Sequence, residues 1–598
     1  MRKERSSIIR EYRTLIPYFK RYRWFYIVGI VCLLITSGGQ LVIPQFIRIA
    51  VDTIVSGSFI LKTVGVTMLQ LLGVALVIAA ARFGWRHFLF GASRRIEKEL
   101  REDLFTHLLT LSPSFYGQNS TGDIMARATN DMRSIRMATG MALVAFIDGL
   151  FMTLAILLIL FAQNPRLALI TVVPLPLIAI MVISVGRIIG GLFKKVQEGF
   201  SLLSEQGRES ISGIRVIKTF VKESYFLRRF EEANENYKQR NMAYIKLYGL
   251  FMPIVTFLSG LTTLLLLRFG GELVILGSIS PGEFVATLNY LQMLIWPMLG
   301  VGFTINMLAR GAASLGRINQ YLSHPPEITS PHSPIEEISD RTITVEGLSF
   351  TYPGTETEVL KDISLEISEG SFVGILGKTG AGKTTLINVF NRLLDPPEGT
   401  VKMGGSDVRM YDLHLLRRQF GFVPQDTFLF SATVKENLGY ALENPHDDNL
   451  MRVAEISTIN RDVADFPDQW ETEVGERGVT LSGGQKQRIA ISRALATVPP
   501  ILVFDDALSA VDTESEEKIL DELLEYRKGR TNIVISHRVS TLMRADKIFV
   551  LEDGKVVQHG THECLIEEEG FYREIFNLQK LEEQTVTEPP AKEEGFCE

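Results

Sequence analysis

Leu481-Ser482-Gly483-Gly484-Gln485 and, shortly after it, Ile501-Leu502-Val503-Phe504-Asp505-Asp506 decide how this chain is read. The second stretch is a short apolar run with the length and composition of a buried strand, and it delivers carboxylates to its tip. A carboxylate so placed can hold Mg²⁺ through water beside a nucleotide. Upstream, Phe372-Val-Gly-Ile-Leu376 is a second buried strand running into Gly377-Lys378-Thr379-Gly380-Ala381-Gly382-Lys383-Thr384, with Thr385 next. Glycines there let backbone N–H groups close around phosphate at the positive end of the following helix. Lys383 is the residue to neutralise the β- and γ-phosphates, and Thr384 the one to coordinate Mg²⁺. ATP with Mg²⁺ is the expected cofactor pair.

The rest of the sequence divides in two. At 598 residues the chain exceeds one compact domain; its first half holds long apolar runs and its second reads as a soluble α/β domain. Charged residues are 22% of the total and the net charge is −6, so no nucleic acid partner is expected. Cys32, Cys564 and Cys597 are scattered and suggest neither a metal site nor a disulfide framework. The basic start, MRKERSSIIREYR, lacks the apolar core and cleavage site of a signal peptide and reads as a cytoplasmic elbow.

A run of about 20 apolar residues spans a bilayer as a helix. Six such helices are predicted, at about 24–50, 64–90, 139–163, 167–190, 246–273 and 283–309. The loops after the first, third and fifth are short and poor in Lys and Arg. The opposite side carries Arg94, Arg95, Lys98, Arg101, Lys194, Lys195, Arg228 and Arg229, which places it, the N-terminus and the soluble half in the cytoplasm. The cytoplasmic connections keep apolar residues at helical spacing (Ile96, Leu100, Leu104, Leu108), so the membrane helices should continue as a stalk. Intramembrane Arg82, Arg86, His87 and Arg268 call for a partner helix, a cavity or the headgroup level, because charge facing lipid is costly. Pairing or snorkelling competes there with substrate contact. Tyr290, Gln292, Met293 and Trp296 either pack or line a pathway.

The pairing of LSGGQ with an Asp-tipped strand resembles the ATP-binding cassette (ABC) ATPases. With six membrane helices in front, the chain is similar to ABC exporters from the first of those helices to about residue 580. The resemblance implies a multidomain fold: an all-α transmembrane domain of six long helices with cytoplasmic extensions, then an α/β P-loop ABC ATPase domain. The boundaries are 1–320 for the first, 321–341 for a Pro-containing linker and 342–580 for the cassette, with an acidic tail at 581–598 that composition marks as disordered. Segments near 114–124 and 209–220 look like the two coupling helices that dock on nucleotide domains. Tyr352 matches the aromatic that stacks on adenine, and Gln425 matches the Q-loop residue between metal, water and the coupling helices. Glu473-Val-Gly-Glu476-Arg477-Gly478 resembles the X-loop. Ser509-Ala-Val-Asp512 resembles the D-loop, and His537 the histidine contacting the γ-phosphate. Catalytic roles then fall to Asp506, His537 and Gln425, and the metal to Thr384, Gln425 and, through water, Asp505.

In that family LSGGQ closes on an ATP held by a second cassette. One membrane half with one cassette therefore implies a half-transporter that needs a dimer in the inner membrane. The family usually has Glu after the strand-end Asp as general base; here it is Asp506, one methylene shorter. Its own ATP should bind well and hydrolyse slowly, while the intact Leu481–Gln485 serves the partner. That combination resembles the degenerate-site subunit of heterodimeric bacterial multidrug exporters of the MdlA/YheI type. The expected function is ATP-driven export of hydrophobic or amphipathic small molecules, drug-like compounds or lipids, across the bacterial inner membrane. A self-sufficient homodimer, in which Asp506 still serves as base, and a nucleotide-gated pore without pumping remain the alternatives.

Overall fold

In a computed structural model, described here for residues 10–56, 61–475, 478 and 480–587, the chain forms two compact units. Among the described residues, the first is built from the chain up to Leu109 and from Ser120 to His324, and the second from Thr110–Asn119 and from Pro325 onward. The start of the basic elbow (residues 1–9), Glu476 and Arg477 of the X-loop-like segment, Cys597 and the tail from residue 588 lie outside the described residues.

Six helical stretches of the first unit are long and apolar enough to cross a membrane: Arg23–Val55, Gly65–Thr110, Thr121–Gln163, Pro165–Ser212, Glu223–Ile275 and Pro281–Leu322. All outrun a bilayer. The second has 46 residues and so is about 69 Å long at 1.5 Å per residue. Its continuation is held by a buried stripe at four-residue spacing, Ile96, Leu100, Leu104 and Leu108.

Within these stretches lie helices α1 (Arg23–Val55), α2 (Thr121–Ala126), α3 (Pro174–Ser212), α5 (Glu223–Leu265), α6 (Pro281–Met293) and α7 (Ile295–Leu322), with the short α4 (Ile214–Thr219) between the fourth stretch and the fifth. The sequence suggested one continuous helix over 283–309, but it breaks at Leu294. Pro297 has no N–H to donate to the carbonyl of Met293, and its ring crowds that carbonyl. The segment near 114–124 is likewise two short helices, Pro113–Gln118 and α2. Ser120 separates them by capping α2, its Oγ accepting from the Asp123 N–H at 3.2 Å.

Three of the four intramembrane basic residues singled out from the sequence have local neighbours. Arg268 pairs with Glu272 at 2.5 Å, the Arg86 guanidinium sits 5.5 Å from the Trp85 ring centroid, and His87 stacks on Phe83. Tyr290 is buried, donating to the Leu41 carbonyl at 2.8 Å and accepting from Gln45 at 3.0 Å, so it packs α6 on α1 and lines no pathway. Trp296 is 75% exposed. A tie that the hydropathy reading passed over joins the far end of α1 to the start of α6. Arg48 pairs with Glu283 at 2.7 Å, and Asp52 accepts from Ser280 and the Gly282 N–H, each at 2.8 Å.

The second unit has two sheets. One is antiparallel, in the order β2 (Glu358–Ile367), β1 (Ile343–Thr351), β4 (Val401–Met403), β5 (Ser406–Asp407). The other runs β10 (Lys555–Gly560), β9 (Lys547–Glu552), β3 (Phe372–Gly377), β8 (Thr531–Ile535), β7 (Ile501–Asp505), β6 (Phe420–Val423). It is parallel throughout except for the edge strand β10. Every residue of β3, β7 and β8 is buried, as suits a parallel sheet covered on both faces. The nucleotide motifs sit at the ends of β3, β7 and β8, on the carboxyl edge where open α/β sheets bind ligands. The last helix, α11 (Phe571–Thr587), carries on beyond residue 581, where composition suggested disorder. Ile575 and Phe576 pack it against the core of this unit.

Arg527 holds the entrance of β7. It is 1% exposed and donates to the carbonyls of Pro499, Pro500 and Thr531 and, at 2.6 Å, to Asn532 Oδ1. Burial pulls its pKa down to about 10, still far above neutrality, so the cation persists. Arg527→Met removes the donor to three carbonyls, those of Pro499 and Thr531 buried, and to Asn532 Oδ1, and is expected to destabilise this unit by about 3 kcal/mol or more. The check is the lowest thermal transition of the purified protein. An unshifted transition would mean that water replaces the guanidinium at no loss.

Candidate nucleotide site

After β3 the chain turns through Gly380 and Gly382, at φ +85° and +93°, into helix α8 (Lys383–Phe390). A Cβ on Gly382 would lie 2.7 Å from Leu360 Cδ2 and 3.1 Å from the Val359 carbonyl, so backbone conformation and space both require glycine. The loop wraps the Lys383 ammonium, which donates to the carbonyls of Gly377 at 2.6 Å and Lys378 at 2.9 Å. The Ala381 N–H closes onto the same Lys378 carbonyl at 3.1 Å. Burial lowers the Lys383 pKa, and the carboxylates of Asp506 and Asp505 oppose that shift.

Thr379, Gly380, Gly382, Lys383, Thr384 and Thr385 line a cavity of about 230 Å³ together with Gln425, Asp505, Asp506 and His537. Residues as far apart in the chain as Thr379 and His537 thus meet around one volume. Burial raises the Asp505 pKa and Asp506 adds to it, while the Thr384 hydroxyl bonded to its carboxylate works the other way. His537 Nε2 lies 3.5 Å from the Lys383 ammonium. Burial first and that ammonium second lower its pKa, which favours the neutral imidazole. Tyr352 does not line the cavity. Its hydroxyl shares a 2.9 Å hydrogen bond with Thr385 Oγ1, and its ring meets Phe350 nearly edge-on.

Asp506 is the unusual residue. Its φ is +50°, a left-handed conformation uncommon outside glycine and most tolerated by Asn and Asp. Its N–H donates to the Ile535 carbonyl at 3.0 Å, and its own carbonyl accepts from Ser509 Oγ at 2.8 Å. Gln425 Nε2 lies 3.5 Å from Asp506 Oδ2. The oxygen donors of Thr384, Gln425 and Asp505 are of the hard type that suits Mg²⁺.

Leu481, Ser482, Gly483, Gly484 and Gln485 are outside this cavity. Ser482 and Gln485 form a reciprocal cap at the start of helix α9 (Gly483–Ala496), with Ser482 N–H donating to Gln485 Oε1 at 3.0 Å. Gly484 abuts the loop after β7, for a Cβ there would lie 2.9 Å from the Ala510 carbonyl. Gln487 completes the join, its Oε1 accepting from the Ala510 N–H at 3.0 Å and its Nε2 donating to Ser509 Oγ at 3.4 Å. Asp512 caps helix α10 (Thr513–Tyr526), accepting from the Ser515 N–H at 2.9 Å. Sequence reasoning passed over Gln487 and also Gln579 of α11. Gln579 donates to the His537 carbonyl at 2.7 Å and accepts from the Val539 N–H at 2.8 Å. No local pattern marks a clasp 42 residues away.

Comparison with known proteins follows the same division. Residues 26–298 match the ABC transporter transmembrane region family and residues 360–509 the ABC transporter family. The chain is 39% identical to the probable multidrug resistance ABC transporter ATP-binding/permease protein YheI of Bacillus subtilis (strain 168), over 94% of this chain and 97% of that protein. It is 35% identical to the multidrug resistance-like ATP-binding protein MdlA of Escherichia coli (strain K12), over 98% and 100% respectively. A solved bacterial Atm1-family ABC exporter with ATP bound superposes with a TM-score of 0.75 at 26% identity, covering 95% of this chain and 99% of that one.

The lowered His537 pKa has a linkage consequence. Below the ordinary value of 6.5 the unfolded chain takes up a proton that the folded site resists, so stability falls as pH drops through that window. The wild-type thermal midpoint should therefore decline more steeply than that of His537→Gln below pH 6.5. Parallel pH profiles for the two proteins would show that His537 titrates freely.

Proposed function

Because this chain belongs to the ABC exporter half-transporters, each a transmembrane domain fused to one ABC ATPase, we propose that it exports hydrophobic or amphipathic small molecules, drug-like compounds or lipids, as one half of a heterodimer. It is a multi-pass inner-membrane protein with a cytoplasmic ATPase domain, and exporters of this family act as dimers that couple ATP hydrolysis to transport. The multidrug names of the relatives support the substrate class.

In this reading the glycine loop and Lys383 hold the triphosphate, and Tyr352 stacks on adenine. Thr384, Gln425 and Asp505 would hold Mg²⁺, which would neutralise phosphate charge. His537, kept neutral by burial, contacts the γ-phosphate as a hydrogen-bonding group. Asp506 occupies the position of the general base.

The observation that carries the asymmetry is the placement of Asp506. It lines the cavity of this chain's own glycine loop on a left-handed backbone that Asp tolerates, and its carboxylate is one methylene short of the usual Glu. That withdraws the base by about an ångström, enough to cost about a hundredfold in rate. Leu481–Gln485, outside that cavity and fully formed, remains available to an ATP bound by the partner.

Purified alone, the protein should show little ATPase and gain turnover when its partner half is added. In the heterodimer, Asp506→Ala should alter turnover far less than loss of the partner's base. Vigorous hydrolysis by this chain alone, abolished by Asp506→Ala, points instead to a self-sufficient homodimer. Substrate accumulation in inside-out vesicles should require hydrolysable ATP; flux with a non-hydrolysable analogue would mean a gated pore.

A further inference from the structure

Helices α3, α5 and α7 enclose an open groove of about 750 Å³ within the first unit. Phe251, Leu299 and Phe303 supply apolar wall, and Arg187, Asn306 and Arg310 supply polar groups. No Asp or Glu lines it, and among the described residues neither arginine is in an ion pair. That sets them apart from basic residues further along the same packed helices. Arg317, seven positions past Arg310, is bound to Asp131 at 2.9 Å, and Arg240 of α5 lies 3.7 Å from Glu198 of α3. Arg187 precedes Lys194 by about two helical turns, which puts it nearer the apolar stretch than the run of exposed basic residues beyond.

Positive-inside charge accounts for basic residues on loops and stalks. It does not by itself explain why two guanidinium groups, each at the cytoplasmic end of its predicted span, line one concavity that no carboxylate lines. A guanidinium presents a planar fork of donors that matches phosphate and carboxylate oxygens, and its charge-assisted bonds are the strong ones. We propose that this groove binds amphiphiles with an anionic phosphate or carboxylate headgroup, gripped by Arg187 and Arg310 while the tail lies against Phe251, Leu299 and Phe303. The inference rests on the export of amphiphiles and narrows their charge.

Full-length protein in nonionic detergent is titrated with a fluorescent dodecyl phosphate and, for comparison, with the corresponding dodecyl alcohol. Replacing both arginines, Arg187→Ala with Arg310→Ala, should raise the Kd for the phosphate at least about tenfold and leave the alcohol unchanged, whereas the paired Lys substitutions should retain most of the affinity. A Cβ at Gly190 meets nothing within 4 Å, so Gly190→Leu fills the groove without a clash and should weaken the phosphate probe while ATP binding persists. An unchanged Kd in the double Ala variant overturns the proposal, as does an equal loss for the alcohol. Inorganic phosphate competing as well as dodecyl phosphate would overturn it too, leaving a simple anion site. No turnover is read, so a protein that binds in this way yet accumulates nothing in vesicles retracts export and not the groove.

Discussion

The buried strand Ile501–Asp505 must end in a turn that presents two successive carboxylates to one cavity, and the rest of the site is arranged around that requirement. The strand is hydrogen-bonded on both sides, to β6 and β8, and cannot shift without breaking both ladders. Arg527 secures its entrance through the Pro499 and Pro500 carbonyls, the acceptors of two residues that have no N–H of their own. At its exit Asp506 takes a left-handed backbone, fixed by the Ile535 carbonyl on one side and Ser509 on the other. The side chain at that point is therefore the shortest that still carries a carboxylate, on a backbone conformation that Asp accepts better than most residues.

From that turn outward, the loop after β7 is bonded to the start of the signature helix. Gly484 lets Ala510 approach to a distance that no side chain would allow, and Gln487 grips the backbone and hydroxyl of the same loop. The surface proposed to face a partner's ATP is thus joined by direct contacts to the residues around this chain's own. His537 is tied in separately, by Gln579 from the last helix. In the proposed heterodimer, slow chemistry at this chain's own site and intact donors for the partner's ATP would belong to one arrangement.

The motifs were legible because each is local. A glycine loop between a strand and a helix is specified within a dozen residues, and so is a signature before a helix. The six membrane helices were legible for a similar reason, since length and apolarity are properties of a run. Pro297 shows where that reasoning stops: averaged hydropathy passes over one residue that removes a donor and breaks the helix at Leu294. Tyr290 shows the other limit, because packing and pathway give the same sequence signal, and only its bonds to Leu41 and Gln45 decide. Arg527, Gln487 and Gln579 act through partners far off in sequence or unmarked by spacing. At the tail, composition marks the chain from 581 as disordered, whereas the last helix, anchored upstream by Ile575 and Phe576, continues to Thr587.

The central claim is that the two ATP sites of the assembled transporter differ in rate and that the slow one is held by this chain. Vanadate trapping with a photoreactive, radiolabelled ATP analogue in the reconstituted transporter measures this directly, because trapped nucleotide marks the site that has completed hydrolysis. Label predominantly on the partner half, shifting toward this chain on Asp506→Glu, is the predicted result. Equal labelling of both halves, or of two copies of this chain in a homodimer, would contradict it.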